Sequence, residues 1–507
     1  MSGIAAISTD PTCYPATKRV MIAKIGRLEQ YVPRFIWDLF WMTHFAQHRG
    51  PAHSGLVTVN NGDIESIDLR THRGEFREKF EPDLVGFGGD TGMGHISDST
   101  AQPYNVDQSR LGRFAIGFDG NLINLKQLVQ EFLDFGKVLP RADDIGVLAH
   151  LIGLGTDFVE GFAKAAEKVD GTFAAAVLTG NGIYVVQSPD GHRPLVLGQK
   201  TGAVAVASES CQFQNTGFHL VRDVEPGEII FLSKGKMEVV AKLDPVPVMY
   251  CSFCGVYNGN PASIMFGAPV SRTRRRLGGS LAERDIAEGF IPDFIIGVPD
   301  SGRFHAIGAK AAYDLALMAG RIKRTPIYSE FLIKYGARRS FTPADQKARD
   351  LEAQMKLLPL SEDLLEILQA IKGLIEAKLA ESGGQKIVIH IAVYDDSIVR
   401  GTQTKNDLVP KLLSLKQWIE SQYEVEIQIH FRISNPPLLS HCPFGKSVKQ
   451  GERLAAVDDY GQQLTEERIA TDLGAASVRY NTIEDLANAH GIPLERLCVA
   501  CDQLPSS

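Results

Sequence analysis

The residues best placed to do chemistry lie in one short stretch, Asp395-Asp396-Ser397-Ile398-Val399-Arg400-Gly401-Thr402-Gln403-Thr404. Two adjacent carboxylates can accept hydrogen bonds from the vicinal hydroxyls of a ribose, or hold a magnesium ion directly or through water. Ser397, Thr402 and Thr404 add hydroxyl donors suited to a phosphate. The stretch follows a near-continuous apolar run, Lys386 to Tyr394, that reads as a buried parallel strand. A helix is expected after it, with Leu408, Leu412, Leu415 and Trp418 on its apolar face and Pro410 near its first turns. Ligands of parallel sheets bind at the carboxyl ends of strands, and a helix amino terminus favours a phosphate. An acidic turn that merely caps a helix would also explain Asp-Asp-Ser alone. The full order of strand, acid pair, hydroxyl loop and helix favours a sugar-phosphate site.

Cysteine supplies the second chemical signal. The seven cysteines are Cys13, Cys211, Cys251, Cys254, Cys442, Cys498 and Cys501. An odd number in so long a chain argues against a disulfide framework. Cys251-Ser-Phe-Cys254 and Cys498-Val-Ala-Cys501 are CxxC pairs, which suit zinc as readily as an iron-sulfur cluster.

The elements that must position these groups fall into two patterns. Up to about Leu243, short apolar strands (Ser2 to Ile7, Ala174 to Leu178, Gly182 to Val186, Ala203 to Ala207, Glu228 to Leu232) mix with helical stretches around 32–48, 124–135 and 143–153. That mixture predicts stacked layers of sheet and helix. Asp244 to Pro247, with two prolines, marks a boundary. Beyond it, Phe294 to Val298, a helix through Ala306 to Met318, Ile387 to Val393, a helix, and Glu426 to Ile433 alternate as a parallel α/β domain does. Arg339 to Ala380 reads as a loop followed by a helix. With 507 residues, 44% hydrophobic and 22% charged, the chain can bury two or three cores. A net charge of -7 offers no basic face for nucleic acid. Gly3 to Ile7 is too short for a secretory leader, and no apolar run reaches membrane-spanning length, so a cytoplasmic protein without membrane or nucleic-acid partners is expected.

The string Val393 to Thr404 resembles the phosphoribosyl pyrophosphate loop of type I phosphoribosyltransferases, and most closely that of the amidophosphoribosyltransferase family. Ile296-Gly-Val-Pro-Asp-Ser-Gly-Arg303 looks like the family's pyrophosphate loop, Phe331-Leu-Ile-Lys334 like its lysine-bearing strand, and Phe431 to Pro437 like a later strand and turn. The resemblance extends over nearly the full chain. It implies a four-layer αββα glutaminase-like domain of the amino-terminal-nucleophile type over 1–243, and a type I phosphoribosyltransferase domain with a parallel sheet and a cluster-binding end over 244–507. It also implies substrate contacts from Asp300, Gly302, Lys334, Asp395, Asp396, Ser397, Gly401 and Thr402, and magnesium near Ser301, Asp395 and Asp396. In the family's iron-sulfur branch the ligands of a [4Fe-4S] cluster correspond to Cys251, Cys442, Cys498 and Cys501, while Cys254 falls where an acidic residue is usual. The implied reaction transfers an amine to phosphoribosyl pyrophosphate, giving 5-phosphoribosylamine and pyrophosphate at the start of purine synthesis, in a homo-oligomer.

Departures from the family pattern concentrate in the first domain. Ser2 stands at the position of the nucleophilic cysteine, Ser97 at that of an arginine that clamps the substrate carboxylate, and Asp119 at that of an asparagine that donates to an oxyanion. The substrate loop after Thr100 runs directly into Ala101-Gln-Pro-Tyr104. An inactive glutaminase follows from these changes, with nitrogen supplied as ammonia or by another glutaminase. The shortened mobile loop from Arg338 and the Gln354 to Pro359 segment leave two other roles open: a phosphoribosyltransferase with another acceptor, or a regulatory homologue that only binds phosphoribosyl pyrophosphate.

Overall fold

In the computed structural model, all residues are described except 16, 26–27, 51, 61–62, 331, 335–356, 360–368, 370–371, 379–385, 400–407, 446–452 and 505–507. The chain divides into two compact units, one formed by Met1–Cys251, Gly259–Pro269 and Glu495–Cys498, the other by Ser252–Asn258, Val270–Leu494 and Val499–Ser507.

Besides short two-stranded pairs, such as Arg19–Ile25 with Leu28–Pro33, the first unit contains two large antiparallel sheets. The strands of these two are β1 (Ser2–Thr9), β2 (His53–Asn60), β3 (Asp63–Arg73), β4 (Thr91–Ser97), β5 (Tyr104–Val106), β6 (Phe114–Leu122), β7 (Gly171–Thr179), β8 (Gly182–Gln187), β9 (Val196–Lys200), β10 (Ala203–Ala207), β11 (His219–Asp223), β12 (Glu228–Ser233) and β13 (Lys236–Lys242). One sheet runs β11-β9-β10-β1-β4-β2-β3 and the other β13-β12-β8-β7-β6-β5. Alternate residues of β1 serve two cores: Ile4 and Ala6 pack between the sheets with Val57, Met93 and Ala176, while Ala5 and Ile7 pack under helix α1 (Arg34–His44) with Phe35, Leu39 and Phe40. On the outer face of the second sheet, Ile116, Phe173 and Val177 pack with side chains of α2 (Leu125–Asp134), α3 (Asp144–Gly153) and α4 (Phe158–Lys168). The result is the αββα layering expected from the resemblance. The helix read over 32–48 stops at His44 and continues as a turn and a 3-10 segment, Gln47–Arg49.

The second unit is built on a parallel sheet. Helices α5 (Val270–Ala287) and α6 (Ser301–Met318) and strands β14 (Phe294–Gly297), β15 (Ile327–Ser329), β16 (Ile387–Asp395), β17 (Val425–Ile433) and β18 (Ser477–Tyr480) are joined by α7 (Val409–Gln422) and α8 (Glu466–Leu473), with α9 (Ile483–His490) after the last strand. The order is β15-β14-β16-β17-β18, every pair parallel. Ile389, Ile391 and Val393 of β16 enter one core with Leu412, Ile419 and Phe431, while Ala392 and Tyr394 enter the other with Leu281, Ala306 and Tyr313. This burial of both faces is why β16 reads as an unbroken apolar run. Helices α5 and α6 approach closely through small residues: a Cβ on Gly278 would lie 1.9 Å from the His305 carbonyl oxygen, and one on Gly308 2.0 Å from that of Arg275. Pro410 lies in the first turn of α7, where its missing N–H costs nothing.

Candidate active sites

The carboxyl ends of β14 and β16 meet the amino terminus of α6. Val298 N–H donates to the Tyr394 carbonyl at 2.9 Å, which fastens the loop after β14 to the end of β16. Helix α6 starts five residues before the apolar reading placed it, inside the Pro-Asp-Ser-Gly loop itself. Gly302 is required there, because a Cβ would stand 2.4 Å from the Tyr394 carbonyl oxygen. Ser301 Oγ donates to Asp396 Oδ1 at 2.5 Å, Ser397 Oγ to Asp396 Oδ2 at 2.9 Å, and Asp396 N–H to Asp395 Oδ1 at 2.8 Å. The Asp396 side chain is thus aimed at the helix start, and its backbone carbonyl is fixed by Asn435 N–H at 2.8 Å. On the other flank, Lys334 Nζ lies 3.1 Å from Asp300 Oδ2, and Arg303 pairs with Glu330 at 2.7 Å.

Of the expected substrate residues, Asp300, Ser301, Gly302, Lys334, Asp395, Asp396 and Ser397 lie in this one unit, around the carboxyl ends of β14 and β16. Gly401 and Thr402, like Arg338 and Gln354, lie outside the described residues. Among the described residues no three His, Cys, Asp or Glu side chains stand close enough to hold one metal ion. Magnesium does not require such a cage: it keeps waters and is bound through one or two carboxylates together with substrate phosphates. Asp395 and Asp396, beside the Ser301 hydroxyl, have the donor chemistry for that mode.

The cysteines are described unit by unit. Cys251 is the register partner of Cys498 in a short parallel pair, Tyr250–Cys251 with Leu497–Cys498. In the second unit the Cys501 carbonyl accepts from Leu439 N–H at 2.8 Å and Ser440 N–H at 3.1 Å, which fixes the chain just before Cys442. Cys251, Cys254, Cys442, Cys498 and Cys501 are all buried.

The first unit has a different centre. Ser2 and Ser97 are register partners across β1 and β4, and their hydroxyls are 3.4 Å apart. Ser97 Oγ accepts from the N–H groups of Ser99 and Thr100 at 3.2 and 3.3 Å, so it caps a turn. Arg49, fully buried, donates from Nε to the Ser2 carbonyl at 2.7 Å, from Nη1 to Glu209 at 2.6 Å and from Nη2 to Asp119 at 2.8 Å. Arg193 stands 3.8 Å from the other Asp119 oxygen. Burial alone would push the Glu209 carboxyl up, but His48 at 3.0 Å and Arg49 hold it well below the usual carboxylate range. Its second oxygen accepts from Asn260 N–H at 2.8 Å and Ser263 Oγ at 2.9 Å. Glu209 carries no recognisable motif, and sequence reasoning missed it. Burial also drives His95 down to about 4, and it stays neutral against the Phe118 carbonyl.

A parallel sheet with an acid pair and a helix amino terminus at its carboxyl edge, together with an αββα unit whose first strand begins at the nucleophile position, defines a phosphoribosyltransferase-type fold fused to a glutaminase-type fold. Comparison agrees on both halves. Residues 95–215 match the glutamine amidotransferase domain family. The amidophosphoribosyltransferase of Methanothermobacter thermautotrophicus is 28% identical over 92% of this chain and 89% of that protein, and that of Bacillus subtilis 28% identical over 95% of each. The solved glutamine phosphoribosylpyrophosphate amidotransferase of Bacillus subtilis, complexed with ADP and GMP, superposes with a TM-score of 0.73 at 24% identity, covering 100% of this chain and 97% of that one, which establishes the fold. The chain is a homologue of the amidophosphoribosyltransferases, enzymes of the phosphoribosyltransferase class.

Proposed function

We propose that the second unit transfers ammonia to phosphoribosyl pyrophosphate and that the first unit does not hydrolyse glutamine. The observation that carries the first half is the convergence of Asp395, Asp396, Ser397 and Ser301 beside the amino terminus of α6. In this reading the acid pair receives the ribose hydroxyls, Ser397 with Gly401 and Thr402 holds the 5-phosphate, and Asp300, Gly302 and Lys334 face the pyrophosphate. Lys334 exchanges its contact with Asp300 for the leaving group's oxygens. Ammonia's lone pair attacks the anomeric carbon, the bond to pyrophosphate breaks, and a proton is lost from nitrogen to solvent. Magnesium at Ser301, Asp395 and Asp396 would neutralise charge on the pyrophosphate.

The second half rests on the first unit's centre. An oxyanion needs donors, and Asp119 presents a carboxylate already engaged by Arg49. Ser97 has no cation to offer a substrate carboxylate. The cluster belongs to the same proposal: Cys251, Cys442, Cys498 and Cys501, all buried, are assigned to one [4Fe-4S] group of structural role. The protein is expected to act as a cytoplasmic homo-oligomer. Among the described residues no helix is long and apolar enough to cross a membrane.

The test is pyrophosphate release by anaerobically purified protein with magnesium and phosphoribosyl pyrophosphate, supplied with ammonia, with glutamine, or with neither. Release with ammonia alone supports the proposal, and release driven equally by glutamine overturns the reading of the first unit. Binding of phosphoribosyl pyrophosphate without release under any condition would replace transfer by a regulatory role.

A further inference from the structure

A cleft of about 440 Å³ opens in the first unit, on the edge of its first sheet. Its floor is set by strand register. His53 pairs with Ser97 on one side and Arg73 on the other, and Ser97 pairs in turn with Ser2, so these four residues form a row across β1, β4, β2 and β3. His53, Thr71, Arg73, Ser99, Thr100 and Arg141 line the cleft. It lies where the turn after Ser97 leads directly into Ala101-Gln-Pro-Tyr104.

The charges here are unequal. Arg73 is exposed and has no carboxylate partner among the described residues. Arg141 uses Nε on both oxygens of Asp143, at 2.8 and 2.7 Å, and Nη1 on the Ala101 carbonyl at 3.2 Å, and its guanidinium lies over the Tyr104 ring at 5.3 Å, which leaves Nη2 without a hydrogen bond among the described residues. His53 Nδ1 is buried without a hydrogen-bond partner among the described residues. Of the nearby carboxylates, Asp143 pairs with Arg141 and Asp83 with His72 at 2.8 Å, while Asp98 has Oδ2 3.5 Å from the terminal ammonium and Oδ1 buried without a hydrogen-bond partner among the described residues. Two guanidinium groups and three hydroxyls therefore line a cleft that has no carboxylate in its wall.

We propose that this cleft is a binding site for a small oxyanion, a phosphate or carboxylate compound, held between Arg73 and Arg141 with hydroxyl donors from Thr71, Ser99 and Thr100. The volume suits a small metabolite, and guanidinium groups match the planar or tetrahedral oxygens of such ligands. A free amino acid fits poorly, because no carboxylate lines the cleft to meet its ammonium. The site is separate from the phosphate loop and does not depend on the transfer reaction.

Isothermal titration of the full-length protein with inorganic phosphate, with citrate and with glutamine tests the proposal, using wild type, Arg73→Gln and Ser397→Ala. One of the two oxyanions is expected to bind at a site that survives Ser397→Ala and weakens about tenfold in Arg73→Gln, the size of one lost charge-assisted contact at a solvent-facing position. Arg73 is exposed, so its substitution leaves the core intact, and a thermal melt of the variant verifies this. Oxyanion binding that disappears in Ser397→Ala but persists in Arg73→Gln overturns the proposal, as does tighter binding of glutamine or no binding of either oxyanion.

Discussion

The buried pair between Arg49 and Asp119 sets a measurable penalty on restoring the family's asparagine. Asp119→Asn keeps the shape and removes the charge. At an effective dielectric of about 20, opposite charges roughly 4 Å apart attract by about 4 kcal/mol. Arg49 keeps Glu209 and the Ser2 carbonyl, and the new amide oxygen can still accept from Nη2, so the net loss is smaller, about 2–3 kcal/mol. For a unit of this size that corresponds to a fall of roughly 5–10 °C in its melting temperature. Trp37 and Trp41, two of the three tryptophans, lie on α1 and report this unit by fluorescence. A cycle with Arg49→Gln isolates the coupling, which should exceed about 1 kcal/mol. The companion assay is glutamate release, expected to stay at background in Ser2→Cys alone. A D119N protein as stable as the parent, or glutaminase activity from Ser2→Cys alone, would refute the reasoning.

Three further outcomes follow from the geometry. His95 is held neutral by burial with its pKa near 4, below the usual value of 6.5. Its contribution is therefore present above about pH 6.5 and is lost as the pH falls towards 4, amounting to about 2 kcal/mol by pH 5. Denaturant melts of wild type and His95→Gln at pH 7 and pH 5 should show this slope only in the wild type. Gly302→Ala should lower phosphoribosyl pyrophosphate binding by at least about tenfold, read by titration, since the added carbon meets a backbone oxygen that cannot swing aside. Iron and acid-labile sulfide in anaerobically purified protein should approach four of each per chain, as the [4Fe-4S] assignment requires, and Cys442→Ser should lower both.

What the residues reveal in advance depends on how local the cause is. The acid pair at the end of a buried strand was legible because strand and carboxylates are contiguous, and β16 shows its double burial as an apolar run. Strand β4, Thr-Gly-Met-Gly-His-Ile-Ser, carries no strand pattern in its sequence. It is buried on both faces, yet two of its seven residues are glycines, and Gly94 is needed because Thr43 of α1 would otherwise be struck. A strand chosen for close approach shows neither alternation nor a run of β-branched residues. The last elements carry local signals at their ends: Thr465 and Thr482 cap α8 and α9, and Gly474 and Gly491 end them in the left-handed conformation. The charge centre of the first unit was illegible for another reason. Arg49 reaches Asp119 and Glu209 across 70 and 160 residues of sequence, and only the fold brings them together.

That separation also bears on how the three departures at the glutaminase position belong together. An aspartate at 119 without Arg49 would be an isolated buried charge, which proteins do not tolerate cheaply. With Arg49 it closes a bridge from Asp119 to Glu209, and that arginine simultaneously holds the Ser2 backbone. The Ser97 hydroxyl caps the turn that carries Ser99 and Thr100 into the shortened loop, a task an arginine side chain cannot perform. Asp119 and Ser97 thus each satisfy hydrogen bonds of the fold around Ser2, so reversing either one alone forfeits those bonds without supplying new ones.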